Sequence, residues 1–452
     1  MESSGTPELK VAVVGCGHGE LDNIYATLES ECERKGFSSR DLDFLIICGD
    51  FQAVRNELDL NCMSVPHRHR KLGDFHKYYS GAAQAPVLTI VVGGNHEASN
   101  YHFELYHGGW LAPNIYYLGA AGVIRYGPWR IAGISGIYNP RNYHKPHSER
   151  LPYDRDDIRS VYHVREYDVQ RLLFLRSPVD IALSHDWPAW VELFGDHKQL
   201  FATKPTFLTS ALANSLGSKP ATELLGHLRP SYWFAGHMHI RFEATVELEE
   251  GAGIYDALKR LEDVPEKLRA LLPRPSGSSS VGSAFTAKTE FLGLSKVGSP
   301  TFQWLEVRNL GRAPYNTNAP HYSRNTTTGK FDLNYDEEWL AITRACFAGL
   351  QIADPETLVV APSRGKKVAA MTLDEERKWV KENIVDKGLL SIPRDFVAHA
   401  PVHNPDLVVT PDMQPLEYPN QQTARFCELL QIPNKFAMPS VESTEDAGLG
   451  LL

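Results

Sequence analysis

Five short apolar runs in this chain each end in a loop that carries a thiol, imidazole, carboxylate or amide. The runs are Lys10 to Gly15, Asp43 to Cys48, Pro86 to Val92, Pro178 to Leu183 and Ser231 to Ala235. Their length and β-branched content read as strands buried on both faces, the habit of parallel sheets. After the first run, Leu21 to Lys35 repeats apolar residues at Leu21, Ile24, Tyr25 and Leu28, a helical spacing. Strand, helix, strand in succession predicts an α/β fold with a largely parallel sheet. Such a sheet gathers its strand ends along one edge, where ligands bind.

The loops at that edge hold Cys16 and His18, Gly49-Asp50, Gly93-Gly94-Asn95-His96-Glu97, His185, and the pair His237 and His239. Asp50, Asn95, Cys16 and five imidazoles would meet there, enough for two metal ions. Glu97 receives no assigned chemistry, beyond orienting His96 or a neighbouring ligand. Each element alone has an ordinary reading. Gly-Asp and Asn-His after glycine are turn sequences, and a lone buried Cys is common. Gly15, Gly17 and Gly19 invite a dinucleotide-binding reading, but Glu20 stands where that fingerprint needs its last glycine. The joint occurrence at five strand ends points to a metal site.

Composition narrows the class. A hydrophobic fraction of 42% and a charged fraction of 22% are those of a globular protein. The net charge of -9 lowers the case for a generally basic nucleic-acid binder without excluding local basic surface. The six cysteines are scattered with no CxxC pair, which favours a reducing compartment. The polar stretch Met1 to Leu9 is not expected to be a signal peptide. No apolar run reaches the ~18 residues of a membrane helix, so no membrane partner is expected.

Further along, Ile115 to Leu118, Val123 to Tyr126 and Trp129 to Ile134 pattern as short strands in hairpins. Tyr138 to Arg165 is too long for an ordinary connection and predicts a functional loop. Asp168 to Leu175 and Ile254 to Leu272 read as helices, and Ile240 to Leu248 as a strand. The expected organisation is a catalytic domain over 1–248 and a second domain over 249–435. A flexible Pro/Gly/Ser-rich stretch falls near 273–283, and a disordered tail over 436–452. In the second domain, Phe285 to Val307 is apolar enough for strands, while Asp336 to Leu350 and Leu373 to Asn383 are amphipathic helices.

The series Cys16-x-His18, Gly49-Asp50-x-Gln52, Gly93 to Glu97, His185 and Gly236-His237-Met238-His239 resembles the calcineurin-like metallophosphoesterases. Gly108 to Leu118, Gly133 to Tyr138, Ser184 to Pro188 and Asn334 to Ala341 look like those members of the family that debranch lariat RNA. The resemblance implies a metallophosphoesterase β-sandwich with flanking helices and a smaller α+β carboxy-terminal domain. It implies one metal pocket of His18, Asp50 and His239 with Cys16 nearby. A second pocket would use Asp50, Asn95, His185 and His237, with Asp50 bridging and His96 as general acid. Most of the superfamily has Asp where Cys16 stands; a thiolate favours zinc or iron, with manganese the third candidate cofactor.

The implied reaction is hydrolysis of the 2′-5′ phosphodiester at the branch of excised intron lariats, with branched intron RNA as partner. The implied location is the nucleus, with possible shuttling to the cytoplasm. In the loop 138–165, Tyr138, Asn139, Arg141, Arg159, His163 and Arg165 are the candidate RNA contacts, cations for phosphates and aromatics for bases. The competing readings are a protein phosphatase or DNA nuclease on the same scaffold, and a non-catalytic binding module that has lost its metals.

Overall fold

The computed structural model describes residues 8–272, 287–311, 324–326, 328–350, 352 and 370–436. The stretch near 273–283, the basic pair Lys366-Lys367 and the tail from 437 lie outside the described residues. Thirteen strands form two mixed sheets. In chain order they are β1 (Glu8–Val14), β2 (Phe44–Cys48), β3 (Thr89–Val92), β4 (Gly109–Ala112), β5 (Ile115–Tyr117), β6 (Ala121–Tyr126) and β7 (Trp129–Ile134). They continue with β8 (Ile181–Ser184), β9 (Tyr232–Ala235), β10 (Phe242–Leu248), β11 (Ala287–Gly293), β12 (Leu305–Gly311) and β13 (Leu333–Tyr335). The first sheet runs β12-β1-β2-β3-β5-β4 and the second β10-β11-β9-β8-β7-β6-β13. β1, β2, β3 and β5 are parallel, as are β7, β8, β9 and β11.

The continuous apolar runs follow from burial on both faces. Val11, Val13, Phe44, Ile46, Ile90 and Val92 point between the sheets, meeting Ile131, Ile181, Leu183 and Phe234 of the second sheet. The alternate residues Ala12, Val14, Leu45, Ile47 and Val91 pack outward on Leu21, Ile24 and Leu28 of the helix Leu21–Arg34. A third cluster covers the outer face of the second sheet, around Ala182, Trp233 and Val246. Each fully buried Val, Ile or Phe contributes ~1.5–3 kcal/mol, so the sandwich is fixed by its middle layer. This is the expected sandwich with helices on its outer faces.

Beyond residue 248 the chain returns to both sheets. β12 pairs antiparallel with β1, β11 inserts between β10 and β9, and β13 closes the edge at β6. Residues on the two sides of 248 therefore share their cores, and the fold is continuous across that position. The helix expected over Ile254 to Leu272 is two short ones, Ile254–Arg260 and Glu266–Arg269. Pro265 breaks it, because the residue before a proline is pushed out of helical geometry. Glu337–Cys346 is helical as expected, with Asp336 accepting from the Trp339 amide at 3.0 Å as its cap. No helix among the described residues is long and apolar enough to cross a membrane.

Candidate metal centre

The loops after β1, β2, β3, β8 and β9 interlock through their backbones. Gly17 donates to Gly49 O at 3.1 Å, Gly136 to Gly93 O at 2.8 Å and Gly236 to His185 O at 3.1 Å. The turns are tight enough to force left-handed backbone at His18, Asp50, His237 and His239, with φ of 49°, 45°, 62° and 50°. Each costs ~1 kcal/mol or more for an L-residue, and such strain gathers at functional sites. Gly94 is required by proximity. A Cβ there would sit 2.3 Å from both the amide and Oδ1 of Asp50.

Ligand atoms of Cys16, His18, Asp50 and His239 all lie within 4.8 Å of one another. His18 Nε2 is 3.3 Å from His239 Nε2 and 3.7 Å from Asp50 Oδ2. Burial lowers both imidazoles, His239 to about 3, so each presents a neutral lone pair. Around the other carboxylate oxygen, His185 Nε2 is 3.4 Å from Asp50 Oδ1 and 3.1 Å from Asn95 Oδ1. His185 Nδ1 donates to Cys48 O at 2.7 Å, which frees Nε2, and burial takes this imidazole down to about 4. The His237 ring lies 4.9 Å from that of His185. Asp50 thus turns one oxygen to each group of ligands.

These residues suit divalent ions: neutral imidazoles, a hard amide oxygen and a carboxylate converge with no side-chain cation among them. The amides of Asn95 and His96 donate to Asp50 Oδ1 at 3.0 and 2.9 Å and fix its orientation. Against its burial, the neighbouring His185, His18 and His96 and the His96 amide hold the Asp50 carboxyl well below the usual range. Cys16 Sγ accepts from the His237 amide at 3.0 Å. Burial, then the Asp50 charge, pushes its thiol up, so a metal must displace that proton.

His96 stands outside the four-ligand cluster, with its ring 6.0 Å from that of His18. Its Nδ1 lies 3.2 Å from Ser64 O, a contact that orients the ring. Sequence reasoning left Glu97 unassigned and missed Ser64 and Lys204. Glu97 is buried and accepts from three amides: Phe51 at 2.8 Å, Gln52 at 2.6 Å and Gly94 at 2.8 Å. It clasps the Asp50 loop to the Gly94 loop. Lys204 Nζ donates to the carbonyls of Met238 and His239 at 2.8 and 3.0 Å.

The loop over 138–165 is a folded unit beside this centre. Its pivot is Glu149, which is 2.5 Å from the Arg165 guanidinium and 3.1 Å from His147 Nδ1. Two of the expected RNA contacts therefore need correction. Arg165 is 3% exposed and also donates to the carbonyls of Asn142 and Ser160. His163 is 8% exposed and bonds Asn142 at 2.9 Å. Arg165 is spent on the loop because buried Glu149 needs a cation, and His163 on its contact with Asn142. Tyr138 and Asn139 are half-buried, while Arg141 and Arg159 are exposed. Tyr162 OH reaches Ser64 Oγ at 3.2 Å, so the loop abuts the residue that orients His96.

The family described as calcineurin-like phosphoesterase matches residues 9–241, and that described as lariat debranching enzyme, C-terminal domain, matches residues 286–435. The chain is 39% identical over 425 residues to the lariat debranching enzyme of Arabidopsis thaliana, covering 94% of this chain and 87% of that one. It is 40% identical over 426 residues to that of Homo sapiens, covering 94% and 69%. To that of Schizosaccharomyces pombe it is 38% identical over 464 residues, covering 92% and 95%.

Proposed function

The chain belongs to the lariat debranching enzymes of the calcineurin-like phosphoesterase family, and on that premise we propose that it hydrolyses the 2′-5′ phosphodiester at the branch of excised intron lariats. It is a metal-dependent RNA phosphodiesterase whose product is linear RNA ready for turnover. The observation that carries the chemistry is Asp50, with one oxygen toward His18 and the other toward His185 and Asn95. A bridging carboxylate between two ligand groups is what a dinuclear site needs. Cys16, His18, Asp50 and His239 would hold one ion, and Asp50, Asn95, His185 and His237 the other. Two divalent ions in these pockets would neutralise the phosphate and lower the pKa of the attacking water. The softness of the Cys16 thiol favours zinc or iron, with manganese the alternative among harder ions.

The chain's own residues complete the reaction. His96, adjacent to a ligand but outside the four-ligand cluster, is the general acid for the leaving 2′-oxygen. Ser64 O accepts from Nδ1, which leaves Nε2 to carry the mobile proton. Exposed Arg141 and Arg159, with Tyr138 and Asn139, would contact the single strands of the branched RNA.

Purified protein offered branched 2′-5′ RNA, a phosphopeptide and linear DNA should turn over the branched RNA fastest. Preference for the peptide or the DNA would replace this reading with a phosphatase or nuclease. Nuclear residence is proposed from the substrate, and a tagged chain found only in the cytoplasm would refute it.

A further inference from the structure

The His239 loop of the metal centre carries a second cationic and aromatic surface, built without residues of the 138–165 loop. Its members come from distant parts of the chain. Lys204 begins the helix Pro205–Leu212, and Lys296 lies in the segment joining β11 to β12. Lys296 is tied to the first metal loop, through a bridge to Cys16 and the Val297 amide donating to Cys16 O at 3.0 Å. Lys204 is tied to the last metal loop in turn, through its bond to the His239 carbonyl at 3.0 Å.

Among the described residues, Lys204 bonds the carbonyls of Met238 and His239 and neither lysine makes an ion pair. Glu20, on the neighbouring loop, accepts from Asn23 at 3.0 Å instead. In a chain of net charge -9, two lysines without an ion pair among the described residues stand beside His18 and His239.

Aromatic rings flank them. Lys204 Nζ is 5.2 Å from the Phe207 ring centre and 5.6 Å from that of Phe302, both half-buried. Leu208 and Leu212 extend the apolar strip outward, 36% and 39% exposed. Cations for phosphates interleaved with rings for unstacked bases make a single-strand surface. Branched RNA sends three strands from one branch nucleotide, and the 138–165 loop, which abuts the His96 side, occupies only one flank. We propose that Lys204, Lys296, Phe207 and Phe302 form a second RNA subsite, holding the strand that leaves the scissile phosphate on the His239 side. The proposal rests on the debranching function above.

The test uses the full chain with Lys296→Gln and, separately, Phe302→Ala; Lys204 is spared because it also holds the His239 turn. Substrates are branched RNAs with arms of several nucleotides or trimmed to one nucleotide per arm. Lys296→Gln should raise KM for the long-armed RNA roughly 5-fold to 10-fold and reduce the salt slope of log KM by about 0.7, one single-strand phosphate contact. Phe302→Ala should raise the same KM at least about 5-fold, the loss of one stacked base. For the trimmed branch both effects should shrink to within about 2-fold, and metal content should match the parent. Equal losses on both substrates, or unchanged KM and salt slope on the long one, would overturn the subsite. Failure of the parent chain to open any branched RNA would overturn the debranching reading itself.

Discussion

Glu97→Gln tests whether the carboxylate beneath the metal loops holds them in place. In the parent chain Glu97 Oε1 accepts from Phe51 and Gly94 and Oε2 from Gln52. A carboxamide has one acceptor oxygen. Its better orientation keeps Phe51 and Gly94 and turns an NH2 group toward the Gln52 amide. One buried N–H is stranded, at about 1–3 kcal/mol, and the two remaining bonds each lose about 1 kcal/mol of charge assistance. The comparison is made at about pH 9, where the Glu97 carboxyl, pushed up to about 8 by burial and then the Asp50 charge, is ionised, and relief of that buried charge offsets part of this. The net expectation is about 2–4 kcal/mol. It falls on a turn already strained at Asp50 and Gln52, where φ is 45° and 62°. Relaxation there moves Asp50 off both ligand groups, so metal affinity should drop about 10-fold to 100-fold. Titration against a competing chelator reads the affinity, and the urea midpoint reads the stability. A variant that binds metal within twofold of the parent and unfolds at the same urea concentration would refute the clasp.

Four further outcomes follow from other sites. His96→Ala should keep metal and RNA binding while single-turnover cleavage falls about 10²-fold to 10⁴-fold; an unchanged rate removes His96 as the acid. Cys16→Asp should shift metal preference toward manganese or magnesium, and an unmoved preference in competition assays would show that Cys16 is not a ligand. Glu149 is buried, which raises its carboxyl, yet the His147 hydrogen bond and the Arg165 charge hold it well below its ordinary 4.5. A depressed carboxylate stabilises above its unfolded pKa and loses that contribution as pH falls. Corrected amide exchange over 138–165 should therefore rise as pH falls from about 5 to about 2, ahead of the strands, and parallel changes would refute it. Arg130→Met removes the guanidinium that holds buried Asp336 and Glu338 at 2.6 and 3.0 Å, leaving Asp336 to Arg125 and Glu338 to Arg377 at 2.7 Å, and should cost about 3–5 kcal/mol in urea unfolding. A loss under about 1 kcal/mol would mean that Arg125, 3.0 Å from Asp336, and Arg377 beside Glu338 suffice.

What the sequence made legible was carried by residue type and local period. The runs before Cys16, Asp50, Gly93, His185 and His237 announce buried strands, and the ligand types announce a metal site. Glu97 stayed unread because its partners are backbone amides, which leave no mark on composition. Arg165 and His163 were misread for a related reason. A cationic loop suggests phosphates, whereas the decisive facts are the burial of Glu149, which takes Arg165, and the Asn142 contact of buried His163, which only the fold supplies. The places of β11, β12 and β13 were equally hidden, since strand pairing across hundreds of residues is not a local property. Pro265 was visible and should have split the helix.

Those late strands bear on the chemistry. The Cys16 loop is gripped from the carboxy-terminal part: Gly15 donates to Trp304 O at 3.1 Å, and Val297 to Cys16 O at 3.0 Å. A Cβ on Gly15 would meet Ser295 O at 2.0 Å, so no other residue fits that crossing. Four left-handed ligand residues store several kcal/mol of backbone strain between them. Strain of that size persists only when the surroundings over-determine the loops. Here one restraint comes from beneath, through Glu97, and another from the side, through the segment after β11. The amino-terminal strands would supply the ligands of the proposed site, and the later chain holds the thiol loop in place beside them.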